Sequence, residues 1–350
     1  MVGDMGIFKR SRGGAPAAAA IGAFWEQWPG LRDSVEGSVQ GSGGEGSGGT
    51  VPDGVRERLD ELVRAIHPEL TWELDAERRV LTLTGGGLAE ARGVAERWRK
   101  KRPKRDPWTF HAARQPDPGR LDGRLELGDH DFDLSYVKFG MRVDQARARV
   151  DISAYHPDFL FVDDETRLKV AFRVLDWALG EDDVARWIGE VSIAVEPPID
   201  SLPPSLLASV VEQIAEPFKE GAWLTGEGRT PRGHPAQLAV RFPLHRQDHP
   251  LCEVHVAVSL PYAHSNPDLL PVGSSASALR EAEKRLESLP GTVLALRETG
   301  DGRRVFHLYA DPDSGALAEL DQFAASWPEG RAKVDSQPDP AWQALAPYRH

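Results

Sequence analysis

The chain has one cysteine, Cys252, in 350 residues. That excludes an intramolecular disulfide framework and suits a reducing, cytoplasmic setting. It has no apolar run near the roughly 18 residues a membrane span needs, so no membrane partner is expected. The short motifs that carry a mechanism are missing: no Gly-x-Gly-x-x-Gly, no P-loop lysine, no Gly-x-Ser-x-Gly. Gly85-Gly86-Gly87 stands between a strand and a helix, where glycines serve a tight turn more often than a phosphate. Positive charge is short overall. A net charge of −12 repels phosphate backbones and leaves room only for a local basic patch.

What is present is a repeat. RRVLTLTGGGLAEARGVAERW runs from Arg78 to Trp98, and RRVFHLYADPDSGALAELDQFAASW runs from Arg303 to Trp327. Each reads Arg-Arg-Val, an alternating strand, a Gly-containing break, an Ala-rich helix and a tryptophan. Each is followed by a strand-like stretch and Gln-Pro-Asp-Pro, at Gln115–Pro118 and Gln337–Pro340. A repeat of this size fixes architecture before it says anything of chemistry.

The length predicts two or three domains. Residues 1–50 read as a flexible start, a short amphipathic helix and a Gly/Ser linker at Ser38–Gly49, not as an export signal. Residues 51–217 read as an N-terminal α+β domain. Its predicted elements are a helix at Val55–Ile66, a hairpin of Trp72–Leu74 and Val80–Thr84, a helix at Leu88–Lys101 and a strand at Trp108–Gln115. Further strands follow at Leu125–Leu127, Phe132–Met141 and Ala148–Tyr155. A helix at Thr166–Leu179 carries Leu168, Ala171, Phe172, Leu175 and Leu179 on one stripe. Residues 218–350 show β-α-β-β-α-β order from Cys252 onward, the split βαβ or ferredoxin-like pattern. The Arg78 copy has the same order without an obvious first strand. The predicted fold is therefore α+β: two related ferredoxin-like modules with antiparallel sheets, joined by a mixed α/β segment. One sheet face should carry both helices; the other must be covered by another part of the chain or stay open.

DHPLCEVHVAVSLPY, PDLLP, the ETGDGRRVFHLYAD hairpin and the closing DPAWQAL resemble the domain-of-unknown-function family 695, over roughly Trp223–Tyr348. RAIHPELTWEL, FHAARQPDP, YHPDF and FRVLDWALGEDDVARWIGEV are similar to the N-terminal part of its long actinobacterial members. The Gly-Asp-Gly hairpin and terminal Asp-Pro-x-Trp also resemble the ferredoxin-like domain of the regulator of ribonuclease E activity B, a small protein inhibitor. The resemblance implies a fold, and no catalytic residues are carried over from it.

Several residue groups have types and spacings that could carry chemistry. His245, His249, Cys252 and His255 have short metal-like spacing, but an extended strand turns Cys252 and His255 to opposite faces. Cys252 is expected on one apolar face with Val254, Val256, Val258 and Leu260, as a buried thiol. Asp163-Asp164-Glu165 and Glu181-Asp182-Asp183 stand where helices start, and capping explains them. Arg304, Phe306 and Leu308 share one strand face and Val305, His307 and Tyr309 the other, with core packing the default. The main basic run is RWRKKRPKR: Arg97, Arg99, Lys100, Lys101, Arg102, Lys104 and Arg105, flanked by Trp98 and Trp108. Cations interleaved with aromatics could clamp single-stranded nucleic acid, and cations also suit a helix C-terminus. The expectation is a non-enzymatic interaction or regulatory module without cofactor or metal, contacting a protein through this run or a sheet face. Nucleic acid is disfavoured by the net charge. Regulation of an RNA-processing enzyme and a hydrolase site between the modules are the alternatives.

Overall fold

The computed structural model describes residues 14–41, 51–219 and 221–348. The chain folds as two compact units, Met1–Arg114 and Gln115–His350. Each is mixed α and β.

The first unit opens with helix α1 (Gly14–Gly41), 28 residues long. Ile21, Phe24, Trp25, Trp28 and Val35 recur at helical spacing and are all buried. The expected short helix ahead of the domain is thus corrected: α1 forms part of the core. Residues 42–49 of the expected linker lie outside the described residues. Helix α2 (Asp53–Ile66) follows, burying Val55, Leu59, Leu62, Val63 and Ile66. Strands β1 (Thr71–Asp75) and β2 (Val80–Thr84) form an antiparallel hairpin. Helix α3 (Ala89–Lys100) then returns the chain to β3 (Thr109–His111), which pairs parallel with β2. The sheet order is β1-β2-β3, so the expected antiparallel sheet is corrected to a mixed one. Among the described residues no strand precedes the hairpin to separate β2 from β3. Consecutive strands joined through a helix then pair directly and in parallel.

In the second unit, β4 (Arg124–Leu127) and β5 (His130–Asp133) form a hairpin. The strand expected over Phe132–Met141 is broken there. The Asp133 carboxylate accepts from the Ser135 amide at 3.1 Å and caps a 3-10 turn, Leu134–Tyr136. Strands β6 (Lys138–Asp144) and β7 (Arg149–Tyr155) are antiparallel. Helices α4 (Asp164–Leu179) and α5 (Glu181–Trp187) lead to β8 (Ile188–Ala194), parallel to β7. The middle segment therefore repeats the hairpin-helix-parallel-strand course of the first unit, with order β6-β7-β8. On α4 the buried stripe is Val170, Ala171, Val174, Leu175 and Ala178. Leu168 and Phe172, expected on it, are exposed. Helix α6 (Leu207–Ala215) packs Leu207 and Val211 into the same core.

A six-stranded sheet closes the chain. Its strands are β9 (Ala222–Arg229), β10 (Pro235–Phe242), β11 (Val254–Pro261), β12 (Thr292–Gly300), β13 (Arg303–Ala310) and β14 (Lys333–Pro338). Its order is β14-β11-β13-β12-β10-β9, antiparallel throughout. Helix α7 (Gly273–Glu287) lies between β11 and β12 in sequence, and α8 (Ala316–Ala325) between β13 and β14. Both pack on one face, over Val256, Val258, Leu260, Phe306 and Leu308. The opposite face is covered by the chain's own end, where Trp342 and Leu345 pack with Tyr309, Val293 and Leu296.

The expected boundary at 217/218 differs from the observed division after Arg114. Contacts tie the middle segment to the last sheet's approach. The Arg186 guanidinium meets Asp248 at 2.7 Å, and the Trp187 ring lies 4.8 Å from His245.

Candidate functional site

The basic run leaves α3 at its C-terminal end. Lys101 N–H donates to the carbonyls of Arg97 and Trp98, ending the helix, and the following loop is pinned at Asp106. That carboxylate accepts from the Trp28 indole at 3.0 Å, the Trp108 amide at 2.9 Å and Arg32 at 3.3 Å. Between these anchors Lys100, Lys101, Arg102, Lys104 and Arg105 are exposed. None of the five forms an ion pair with a carboxylate among the described residues. Cations at a helix C-terminus are favoured by the dipole, which helps hold them together.

The structure separates the other members of the run from that surface. Arg99 pairs with Glu96 at 2.5 Å, and Glu96 also meets Arg92 at 3.2 Å. Burial pushes the Glu96 carboxyl up, but the two guanidiniums outweigh it and hold the group below its ordinary value. Arg97 is half-buried. Trp98 is fully buried, stacked on Trp25 with ring centroids 5.0 Å apart. Trp108 is buried edge-on to Trp28, its indole donating to Glu36 at 2.9 Å. Placing Trp108 in an interaction patch is therefore corrected, and so is a nucleic-acid clamp that uses the flanking tryptophans. Their rings serve the core, where large aromatics contribute most.

The four side chains of the His-x3-His-x2-Cys-x2-His string face different neighbours. His245 lies against Trp187, His249 against Trp342 and His255 against His307, while Cys252 Sγ is 3.8 Å from the Gly291 carbonyl. Among the described residues no three His, Cys, Asp or Glu side chains are grouped to hold a metal. Cys252 is buried as expected, but with Tyr309 and Trp342, not with Val256 and Val258. The strand starts only at Val254, so alternation does not extend back to residue 252. Asp163 caps α4 through Thr166 N at 2.7 Å. Gly86 and Gly87 have φ of +58° and +88°, a turn only glycine makes cheaply. A Cβ on Gly85 would meet that of Ala91 at 2.6 Å.

Ser275, His264 and Glu329 meet, with His264 Nδ1 3.3 Å from the Ser275 hydroxyl as in a hydrolase triad, but the carboxylate sits on the serine and not on the histidine. The Ser275 hydroxyl donates to Glu329 at 2.5 Å and accepts from the backbone amide of His264 at 3.0 Å. Ser275 is fully buried in the first turn of α7. A triad needs the carboxylate on the histidine and the hydroxyl open to substrate. This group is a lock between a loop and a helix.

Two features were missed by sequence reasoning. A line of titratable groups crosses the covered sheet face. His255 Nε2 is 3.0 Å from His307 Nδ1, His307 Nε2 is 3.9 Å from Glu298, and Glu298 accepts from Tyr348 at 2.5 Å. Burial and the neighbouring Glu298 push the Tyr348 hydroxyl up to about 12. The second is a groove of about 440 Å³ lined by Thr225, Gln237, Arg297, Thr299 and Arg304 with their strand neighbours. Its arginines come from opposite arms of a hairpin. Only the register that pairs Thr299 with Arg304 and Arg297 with Phe306 brings them to one face.

No family model, no curated protein and no solved structure matches the chain.

Proposed function

We propose that the protein is a non-enzymatic interaction or regulatory module that docks an acidic protein surface on Lys100, Lys101, Arg102, Lys104 and Arg105. One observation carries this reading: five exposed cations sit together without carboxylate partners among the described residues, on a chain of net charge −12. Elsewhere exposed arginines such as Arg58, Arg124 and Arg142 meet carboxylates of their own surface. An acidic partner supplies what the chain withholds from this loop, and complementary charge speeds encounter as well as selecting the partner. A protein is favoured over nucleic acid because Trp98 and Trp108 are buried, so neither flanking ring is open for bases to stack on.

The order β14-β11-β13-β12, with α7 and α8 on one face, supports reading the last sheet as a split βαβ module. We read the chain as similar to family 695 on that basis, with β9 and β10 as an added hairpin. Regulation of an RNA-processing enzyme rests on the same likeness of fold, which speaks to architecture and not to activity.

The test is capture from nuclease-treated lysate of the source cells by the intact chain and by a Lys100→Glu, Lys101→Glu, Arg102→Glu, Lys104→Glu variant of unchanged circular dichroism. The reading expects a discrete protein held by the first and released by the second. Identical retained sets, or recovery that vanishes with nuclease, count against it.

A further inference from the structure

The groove on the last sheet is a second charged site, built from residues outside the basic run. Strands β9 and β10 carry the sheet past β12. Across this extension, residues directly opposite each other face the same way. Arg297 lies opposite Ala239, which lies opposite Thr225. Thr299 lies opposite both Arg304 and Gln237, and Gln237 opposite Glu227. These side chains line the groove of about 440 Å³.

Glu283 of α7 meets both arginines of the groove. It pairs with the Arg297 guanidinium and lies 3.6 Å from that of Arg304. The side chains of Arg297, Arg304 and Glu283 are 26%, 13% and 12% exposed. Arg304 Nε donates to the Thr299 hydroxyl at 2.8 Å, and the Arg297 guanidinium lies 5.1 Å from the Trp223 ring centre. Both arginines are thus held in place before anything binds. The two largely buried cations share the Glu283 carboxylate between them. Burial, and then the charge of Arg297, lower Arg304 to about 10. Two guanidiniums on one carboxylate keep further N–H donors, and a charged, partly buried donor pair suits an anion.

We propose that Arg297 and Arg304 form a carboxylate-binding site in the groove of β9, β10 and β12, with Glu283 as the internal counter-ion that a ligand carboxylate supplements. The guanidinium fork matches a carboxylate in plane and spacing. A monoanion suits the groove better than a phosphate dianion, because the Glu227 carboxylate on the lining repels a second negative charge. Thr225 and Gln237 are placed to hydrogen-bond the remainder of such a ligand.

The carboxylate could belong to a small acid or to a peptide C-terminus. A nuclear magnetic resonance titration of the full chain distinguishes them by following the side-chain Nε–H signals of Arg297 and Arg304. The probes are butyrate, an acetylated tri-alanine with a free C-terminus, the same peptide amidated, and inorganic phosphate. The proposal expects saturable shifts with both carboxylates and none with the amide. Saturation by the peptide at lower concentration than butyrate assigns a chain terminus; the reverse assigns a small acid. Arg297→Gln should raise the midpoint by about tenfold or more, as loss of a charged hydrogen bond does. Glu283→Gln should lower it by about tenfold, because the competing carboxylate is gone. A merely structural arginine-glutamate cluster predicts no gain in that variant. Absence of saturable shifts in both the parent and Glu283→Gln, or tighter saturation by phosphate, overturns the proposal. The Glu283→Gln result stands even where Arg297→Gln fails to fold.

Discussion

Tyr309 lies face to face with Trp342, their ring centres 4.2 Å apart, and its hydroxyl donates to Asp339 at 2.6 Å. The same carboxylate accepts from the amides of Gln343 and Ala344 at 2.7 and 2.9 Å, while the Trp342 indole donates to the Cys252 carbonyl at 2.7 Å. The end of the chain is thereby fastened across the sheet face that the helices leave bare. Trp342→Ala should cost about 3–5 kcal/mol, since a fully buried aromatic leaves a cavity and unpairs a carbonyl. Urea denaturation should show a lower midpoint. A change below about 0.5 kcal/mol would mean the end is not part of that core.

Acid should loosen the same face. Burial, and then the charge of His307, hold His255 below its ordinary value of 6.5, with Asp339 opposing. The folded state therefore binds fewer protons than the unfolded chain as pH falls below about 6.5. The contribution is fully present above that value and is lost as pH falls toward the folded value. His307, Tyr309 and Asp339 are the groups that face it. The drop in urea midpoint between about pH 7.5 and pH 5.5 should be smaller in His255→Gln than in the parent. Equal drops would remove His255 as a cause.

Trp28→Ala should destabilise the first unit by about 3–5 kcal/mol, because α1 is core and not an appendage. Loss of the Trp28 indole also removes one of the donors to Asp106. Thermal unfolding followed by near-ultraviolet circular dichroism reads this directly. An unchanged transition would mean α1 does not hold the unit together.

Much of the fold was legible because its signals are local. Val55, Leu59, Leu62 and Ile66 announce α2 by spacing, and Asp301-Gly302 announces the turn between β12 and β13. The Arg78 and Arg303 strings each mark a strand, a helix and a strand that the structure contains. What was not legible depends on partners distant in sequence. Leu168 and Phe172 have the spacing of a core stripe, yet Val170 and Val174 face the core, and only packing decides between two apolar stripes. The third hairpin-helix-strand course, β6 to β8, has no matching string to betray it. Trp98 and Trp108 looked free beside the cations because sequence shows adjacency, not the helix α1 that covers them. Arg297 and Arg304 meet only through a strand register.

The basic loop should be nearly silent in stability. Reversing Lys100, Lys101, Arg102 and Lys104 should move the unfolding midpoint little, by about 0.5 kcal/mol or less per exposed site. Calorimetry of the variant checks this. A large loss would reassign these residues from contact to structure.

The most direct test of the account is lysine labelling by a small acylating reagent, comparing the purified chain with the same chain in nuclease-treated lysate of its source cells. Lys169 and Lys219, paired with Glu165 and Glu216 on the second unit, serve as internal references. The account predicts that Lys100, Lys101 and Lys104 are protected in lysate while the references label equally in both. Equal labelling of all five would contradict a partner on the basic loop.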